Sequence, residues 1–258
     1  MIISDAEWVN FITKLKALDD MAAEEIKQYA ISSGAFDEAT QTYTVTEDLI
    51  QYAYAIATKY GEASAALSAL LYDEEAALEG VSLPPAEVAP TASYRDVIQA
   101  IYGSHDFSPT LVVLGAAISR LVKLAGVDTT VKNAIRDRAQ IAFVPHGDTC
   151  AYCIMLASSG WRTASDADLK DGHVAHCHGN CDCTYAVRHK KESFVKSYDP
   201  EKYAKIYRNA DGDTEEERLN SMRRDFYAEN KEKIADQKAA AYEKRKLRES
   251  PEAEEMDV

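Results

Sequence analysis

Basic charge is scarce where the chain begins. Residues 1–100 hold 17 Asp and Glu against 5 Lys and Arg, and the 258-residue chain carries a formal net charge of -14. Such a surface repels bare nucleic acid, which excludes a general DNA- or RNA-coating role for this part. Long hydrophobic runs are missing too. The most apolar stretch, Leu111 to Val122, is interrupted by Ser119 and Arg120 and falls far short of the roughly 20 residues a bilayer requires. No membrane span is expected. The opening MIISDAEWVN has neither a basic n-region nor an apolar h-region, so no signal peptide is read and synthesis in the cytoplasm is expected. Catalytic signatures are equally lacking, since no H-x-E, H-E-x-x-H or G-x-S-x-G occurs. Ser158, Ser159 and His189 make a protease triad only on paper, because no spacing demands it.

What is present reads as a mainly α protein. With 46% hydrophobic and 28% charged residues, most of the chain should fold. Trp8, Phe11, Ile12, Leu15, Leu18, Ala22, Ile26 and Tyr29 recur at three- and four-residue steps, one face of a helix, and Ser4 with Glu7 fits a capping box at its start. A second helix follows Thr44 and Glu47, with Leu49, Ala53, Ile56, Tyr60, Ala63, Leu67, Leu70 and Leu71 on one stripe. Gly61 either bends it or allows a close helix crossing. These helices form an expected N-terminal domain, 1–79, followed by a linker at 80–92 that contains Pro84, Pro85 and Pro90.

A helical segment is expected over 93–145. Ser93 and Asp96 open a short helix ending near Gly103, and Ser108-Pro109 caps the next, which should stop at Gly126. Asp128 or Thr129 then caps a helix through Ile141, ending at Val144-Pro145. Asp199-Pro200 opens a short helix, and Thr214 with Glu217 caps a long charged helix reaching about Arg248 within a C-terminal tail, 191–258.

Between these lies the most informative segment, 146–190. It holds all five cysteines and five of the six histidines, with too few aliphatic side chains to build its own core. Cys150 and Cys153 form a C-x-x-C pair, and Cys177, His178, Cys181 and Cys183 follow about 25 residues on. Two short-range ligand pairs separated by a loop is the layout of a structural tetrahedral zinc site. The preferred ligands are Cys150, Cys153, His178 and Cys181. Cys183 is an alternative to Cys181, and Cys177, His173 and His176 stand in reserve. A redox pair fits poorly, as no βαβ pattern surrounds Cys150. Four sulfur or imidazole ligands leave no open position for a substrate water. A small loop-rich zinc module with short β strands is therefore expected. Trp161 reads as its packing anchor. The run Arg188, His189, Lys190, Lys191 is read as solvated surface, with Arg188, Lys190 and Lys191 as a weak nucleic-acid contact.

The stretch D-T-C-A-Y-C-I-M-L-A-S-S-G-W from Asp148 to Trp161, with H-G-N-C-D-C from His178 to Cys183, resembles the Mu F-like minor head proteins of tailed phages, especially those of Gram-positive and actinobacterial hosts. Tyr60 to Asp73 resembles the helical N-terminal part of that family. The resemblance implies a low-copy virion component of the capsid interior or portal vertex, in contact with the portal protein, scaffold and packaged DNA, and needed for head assembly or for DNA packaging or delivery. Its metal positions match Cys150, Cys153, His178 and Cys181. Some relatives are described as capsid maturation proteases, so a protease or zinc-dependent hydrolase is the alternative reading.

Overall fold

The computed structural model describes residues 2–3, 5–146, 149–170, 183–195, 197–232, 235–236 and 239. The described chain is mainly helical and divides into two compact units, 1–206 and 207–258.

In the first unit, α1 (Asp5–Ser32) and α2 (Glu47–Leu78) flank a central α4 (Leu111–Arg136). α1 buries Trp8, Phe11, Ile12, Ala22 and Ile26, the face its periodicity predicts. Ser4 of the expected capping box lies outside the described residues. The cap of α2 is Thr46 rather than Thr44, its side chain accepting from Leu49 N at 3.2 Å. Thr44 is engaged elsewhere, its N–H donating to Ala35 O at 2.8 Å.

The buried side chains form two cores. One joins the C-terminal half of α1, the N-terminal half of α2, α3 (Tyr94–Phe107) and the first half of α4 through Leu49, Ile56, Ile101, Leu114 and Ile118. The other joins Trp8, Tyr72, Val127 and Val131 to a small sheet. α4 is therefore antiparallel to α1 and parallel to α2. A buried ion pair, Lys123 to Asp19 at 3.6 Å, adds a polar tie between α1 and α4. Burial pushes the Asp19 carboxyl up to about 7 despite Lys123.

The expected break of α4 at Gly126 does not occur; the helix runs on to Arg136. A Cβ on Gly126 would stand 2.6 Å from Ser64 Oγ and 2.8 Å from Ser68 Oγ. The glycine permits close approach of α2 and is not a stop signal. Gly61 is likewise at a close approach, with Thr91 Cγ2 3.0 Å and Ala125 Cβ 3.6 Å from its would-be Cβ. Thr110, not Ser108, caps α4, because the Ser108 N–H closes α3 on Ser104 O at 2.9 Å. α3 itself starts at the expected capping box of Ser93 and Asp96 and runs one turn past Gly103.

The proline-rich stretch 80–92 returns along α4 as a stitched strap. Arg136 donates to Pro85 O (3.0 Å) and Pro84 O (3.1 Å), Asn133 exchanges bonds with Glu87 (3.0 and 2.8 Å), and Ala89 N reaches Thr129 Oγ1 at 2.9 Å. Every polar side chain that α4 buries there is satisfied by the strap or by its own helix.

No helix continues through Ile141. α4 ends on a Schellman motif, Ala139 N to Ala134 O at 2.8 Å and Arg138 N to Ile135 O at 3.2 Å, with Arg138 at φ 54 where glycine is the usual residue. The apolar run that follows is β4 (Gln140–Val144), the middle strand of an antiparallel sheet with β5 (Arg162–Thr163) and β6 (Thr184–Arg188). Ile141 pairs with Val187 and Phe143 with Tyr185. Of the short strands outside it, β2 (Phe36–Asp37) and β3 (Thr42–Tyr43) form a hairpin, and β1 (Ile2–Ile3) pairs in parallel with β7 (Phe194–Val195).

α7 (Pro200–Asn209) opens with Asp199 Oδ1 accepting from Glu201 N at 3.0 Å. In the second unit, α8 (Glu215–Glu229) carries the expected capping box: Glu217 N to Thr214 Oγ1 at 3.2 Å and Thr214 N to Glu217 Oε2 at 3.0 Å. It closes at Asn230; residues 231–232, 235–236 and 239 are helical again, and the rest of the stretch expected to reach Arg248 lies outside the described residues. Asn230 sends both its backbone N–H and its side-chain amide to Phe226 O, at 3.1 and 2.9 Å, so its side chain shares a helical acceptor at the C-cap.

Candidate metal centre

β4 delivers the chain to Cys150, the N-cap of α5 (Ala151–Ser158). The cysteine-rich segment thus begins with a helix that periodicity did not reveal. Cys150 makes no side-chain capping bond; its Sγ instead lies 3.4 Å from Cys153 Sγ. Cys153 is completely buried in the sheet-side core and Cys150 is half-buried against it. Both are thiols, as is Cys183.

This pair fits a tetrahedral metal. With Zn–S of about 2.3 Å, two ligand sulfurs on one zinc stand roughly 3.8 Å apart, so a shift of a few tenths of an ångström suffices. The positive end of α5 also favours the negative charge of metal-bound sulfur. His178 and Cys181, the other preferred ligands, lie outside the described residues, as do Cys177, His173 and His176. Cys183 is placed otherwise. It is buried at the start of β6, its Sγ 3.4 Å from His146 N and 3.8 Å from His146 O. Among the described residues no three His, Cys, Asp or Glu side chains group to hold a metal ion, so Cys183 is not brought to the pair in such a group.

The segment borrows its core from the rest of the unit. Cys153, Ala157, Ala164 and Cys183 pack in one cluster with Trp8, Val131 and Phe143. Trp161 stands edge-on to Tyr198, centroids 6.2 Å apart, and the Arg188 guanidinium covers its ring at 4.6 Å. Tyr198 donates to Ala157 O at 2.6 Å. Gly160 takes φ +65 just after α5, where other residues are strained. After β5, Asp168 in α6 (Asp166–Lys170) pairs with Arg162 and accepts from Ser165 N at 2.8 Å. Burial raises the Asp168 carboxyl, but Arg162 and Ser165 outweigh it and hold it below the ordinary range. The S-x-x-D spacing of Ser165 and Asp168 is the sequence signal for this local cap.

Most of the expected basic run serves the fold. Arg188 donates to Gln140 Oε1 (2.9 Å) and Ser193 O (3.2 Å). Glu79, on the residue after α2, accepts from His189 N at 3.0 Å and Lys190 N at 2.5 Å, and Lys190 Nζ bonds Glu79 O. Lys191 is exposed. Of the paper triad, Ser158 Oγ donates back to Met155 O at 2.6 Å, whereas His189 stacks edge-on against Tyr72 at 5.2 Å.

The His189 ring is half-buried, its Nε2 has no hydrogen-bond partner among the described residues, and the charged groups around it are Glu79 and Asp137, the latter held by Tyr72 Oη at 2.9 Å. Burial lowers the imidazole below the ordinary histidine value, against the pull of both carboxylates. Above that ordinary value the shift has no effect on stability. As pH falls through it toward the folded-state value, the unfolded chain binds the proton first and stability is lost. Going from about pH 7.5 to about pH 5.5, spanning the ordinary value, wild type should lose a few degrees of melting temperature relative to His189→Gln. Equal losses in both proteins would refute this.

A mainly helical body with a cysteine-bearing segment built into its core is thus on hand. Residues 2–210 match the family model described as VG15 protein, and the chain belongs to this family of phage virion proteins. No curated protein and no solved structure matches the chain. Among the described residues no helix is long and apolar enough to cross a membrane.

Proposed function

We propose that this chain is a Mu F-like minor head protein, a low-copy, non-enzymatic component of the portal vertex or capsid interior that supports head assembly and DNA packaging or delivery. The portal protein, with the procapsid interior or scaffold, is its proposed partner. Zinc held by Cys150, Cys153, His178 and Cys181 staples the segment 146–190. When bound, the metal supplies no chemistry beyond cross-linking. Cys150 and Cys153 anchor it to α5, and Cys153 carries that anchor into the core.

The observation behind this reading is the Cys150–Cys153 pair, 3.4 Å apart at the start of α5, within a chain that matches a phage virion family over residues 2–210. A closed shell of sulfur and nitrogen suits a structural site. The placement of Arg188 and Lys190 in fold-supporting bonds leaves Lys191 as the member of the basic run offered to packaged DNA.

Quantitative mass spectrometry of purified virions tests the role. A few copies per portal ring, retained with the portal when heads are disrupted, is the expected result. Absence from virions, a copy number equal to that of the major capsid subunit, or cleavage of a capsid protein on co-expression would each overturn it.

A further inference from the structure

The groove between α3 and α4 is unexplained by the fold of one chain. Gly103 sits within α3 on ordinary helical backbone, where glycine costs helix stability. It is exposed, and no described atom lies within 4 Å of the position its Cβ would take. Nothing in the single chain calls for glycine there. One turn on, Phe107 is 83% exposed beside the same groove, whose volume is about 530 Å³.

The lining has a pattern. On α3 it includes the row Asp96, Ala100, Gly103 and Phe107, steps of four, three and four, with Gln99 and Ser104 beside it; on α4 the row Val113, Ala117, Arg120 and Leu124 repeats those steps, with Ala116 and Leu121 beside it. Two antiparallel helices with such rows form an open half of a helix bundle, in which side chains from a facing helix seat between the rows. Small residues in the floor let the facing backbone approach closely.

We propose that the α3–α4 hairpin is a self-association surface, where two copies of this chain pack their hairpins into a four-helix contact crossing near Gly103. The patch itself names the occupant. It supplies both a projecting ring, Phe107, and a small-residue trough, Ala100, Gly103 and Ala117, so each copy fills the other's trough, as an isologous two-fold contact requires. Its charges are one acid and one base, Asp96 and Arg120, on a chain whose net charge is -14. Two such patches meet without the like-charge barrier that acidic surfaces elsewhere would raise, and a basic partner finds no acidic field to draw it in.

Sedimentation equilibrium on the full chain over a wide concentration range tests this. A concentration-dependent dimer is expected. Phe107→Asp, at a position exposed in the monomer, should weaken dimerisation about thirtyfold or more, as loss of a central anchor does, while leaving the circular dichroism spectrum unchanged. Gly103→Ala gives the sharper readout: the dilute chain melts higher, because alanine favours helix, yet dimerises more weakly. A chain that stays monomeric throughout, or a dimer whose dissociation constant is the same in both variants, overturns the proposal. So would an alanine variant that gains stability and dimerises as tightly as wild type.

Discussion

Cys150→Ser, and independently a strong chelator, should release one zinc per chain and open the segment around α5 to hydrogen exchange, leaving the α1–α4 helices largely protected. The two treatments should agree because Cys150 is only half-buried, so its replacement removes a ligand with little direct loss of packing. Cys153→Ser is expected to be worse, since it also places a hydroxyl in a completely buried site. The effect is large because structural zinc contributes on the order of 10 kcal/mol to the order of the segment it closes. The α1–α4 helices keep their own core around Ile56, Ile101 and Ile118 and have no need of the metal. X-ray absorption of the wild-type protein should show a complete sulfur and nitrogen shell. An oxygen ligand would revive the hydrolase reading, and a metal-free protein with a protected α5 would remove zinc from the account.

Gly126→Leu is the second large effect. Ser64 Oγ and Ser68 Oγ, at 2.6 and 2.8 Å from the would-be Cβ, can swing aside, but Ser64 O at 3.3 Å belongs to the backbone of α2. Alanine is therefore borderline, its steric cost offset by about 1 kcal/mol of better helix propensity. Leucine must push α2 off α4 and should cost about 3 kcal/mol or more, which for a chain of this size lowers the melting temperature by roughly 6 to 12 °C. A leucine variant that melts with wild type would mean that the two helices are not held at this spacing.

Gly126 also shows where the sequence misleads. Read along the chain, a glycine after an apolar run followed by Asp128 and Thr129 looks like a helix end and a new cap. The crossing that demands glycine comes from residues some sixty positions earlier, and α4, buried on several faces, lacks the single stripe that would have argued for continuity. Arg138 misleads in the opposite sense, occupying the left-handed position of a Schellman motif where glycine would have announced the end of α4. By contrast, α1, α2 and α3 each bury one face, which in α1 and α2 runs across both cores, so period and capping residues locate these helices to within a few residues, although Ala63 and Leu70 of the expected α2 stripe are exposed. The caps of α2 and α4 were displaced because Thr44 and Ser108 spend their backbone N–H groups on neighbouring elements.

In the cysteine segment, the C-x-x-C spacing is legible because it is local, and Trp161 packs against Tyr198 and Arg188. The roles of Arg188 and Lys190 are hidden because Arg188 bonds Gln140, 48 residues away along the chain, and Lys190 bonds Glu79, 111 residues away. A basic run looks solvated until its acceptor is known. Strand alternation puts Cys181 and Cys183 on the same side and does not separate them; the burial of Cys183 beside His146 is a tertiary fact that no spacing encodes.

The parallel pairing of Ile2–Ile3 with Phe194–Val195 has a consequence for how the chain is made. On the ribosome, the first strand emerges 192 residues before its partner, position 195 less 3. At about 5 to 20 residues per second this is a wait of roughly ten to forty seconds. During that interval α1 can fold onto α2 and α4, but its leading strand has nothing to pair with. The seam can close only after the cysteine-bearing segment has left the exit tunnel, so nascent chains stalled before that point should expose their amino end to protease while longer ones protect it.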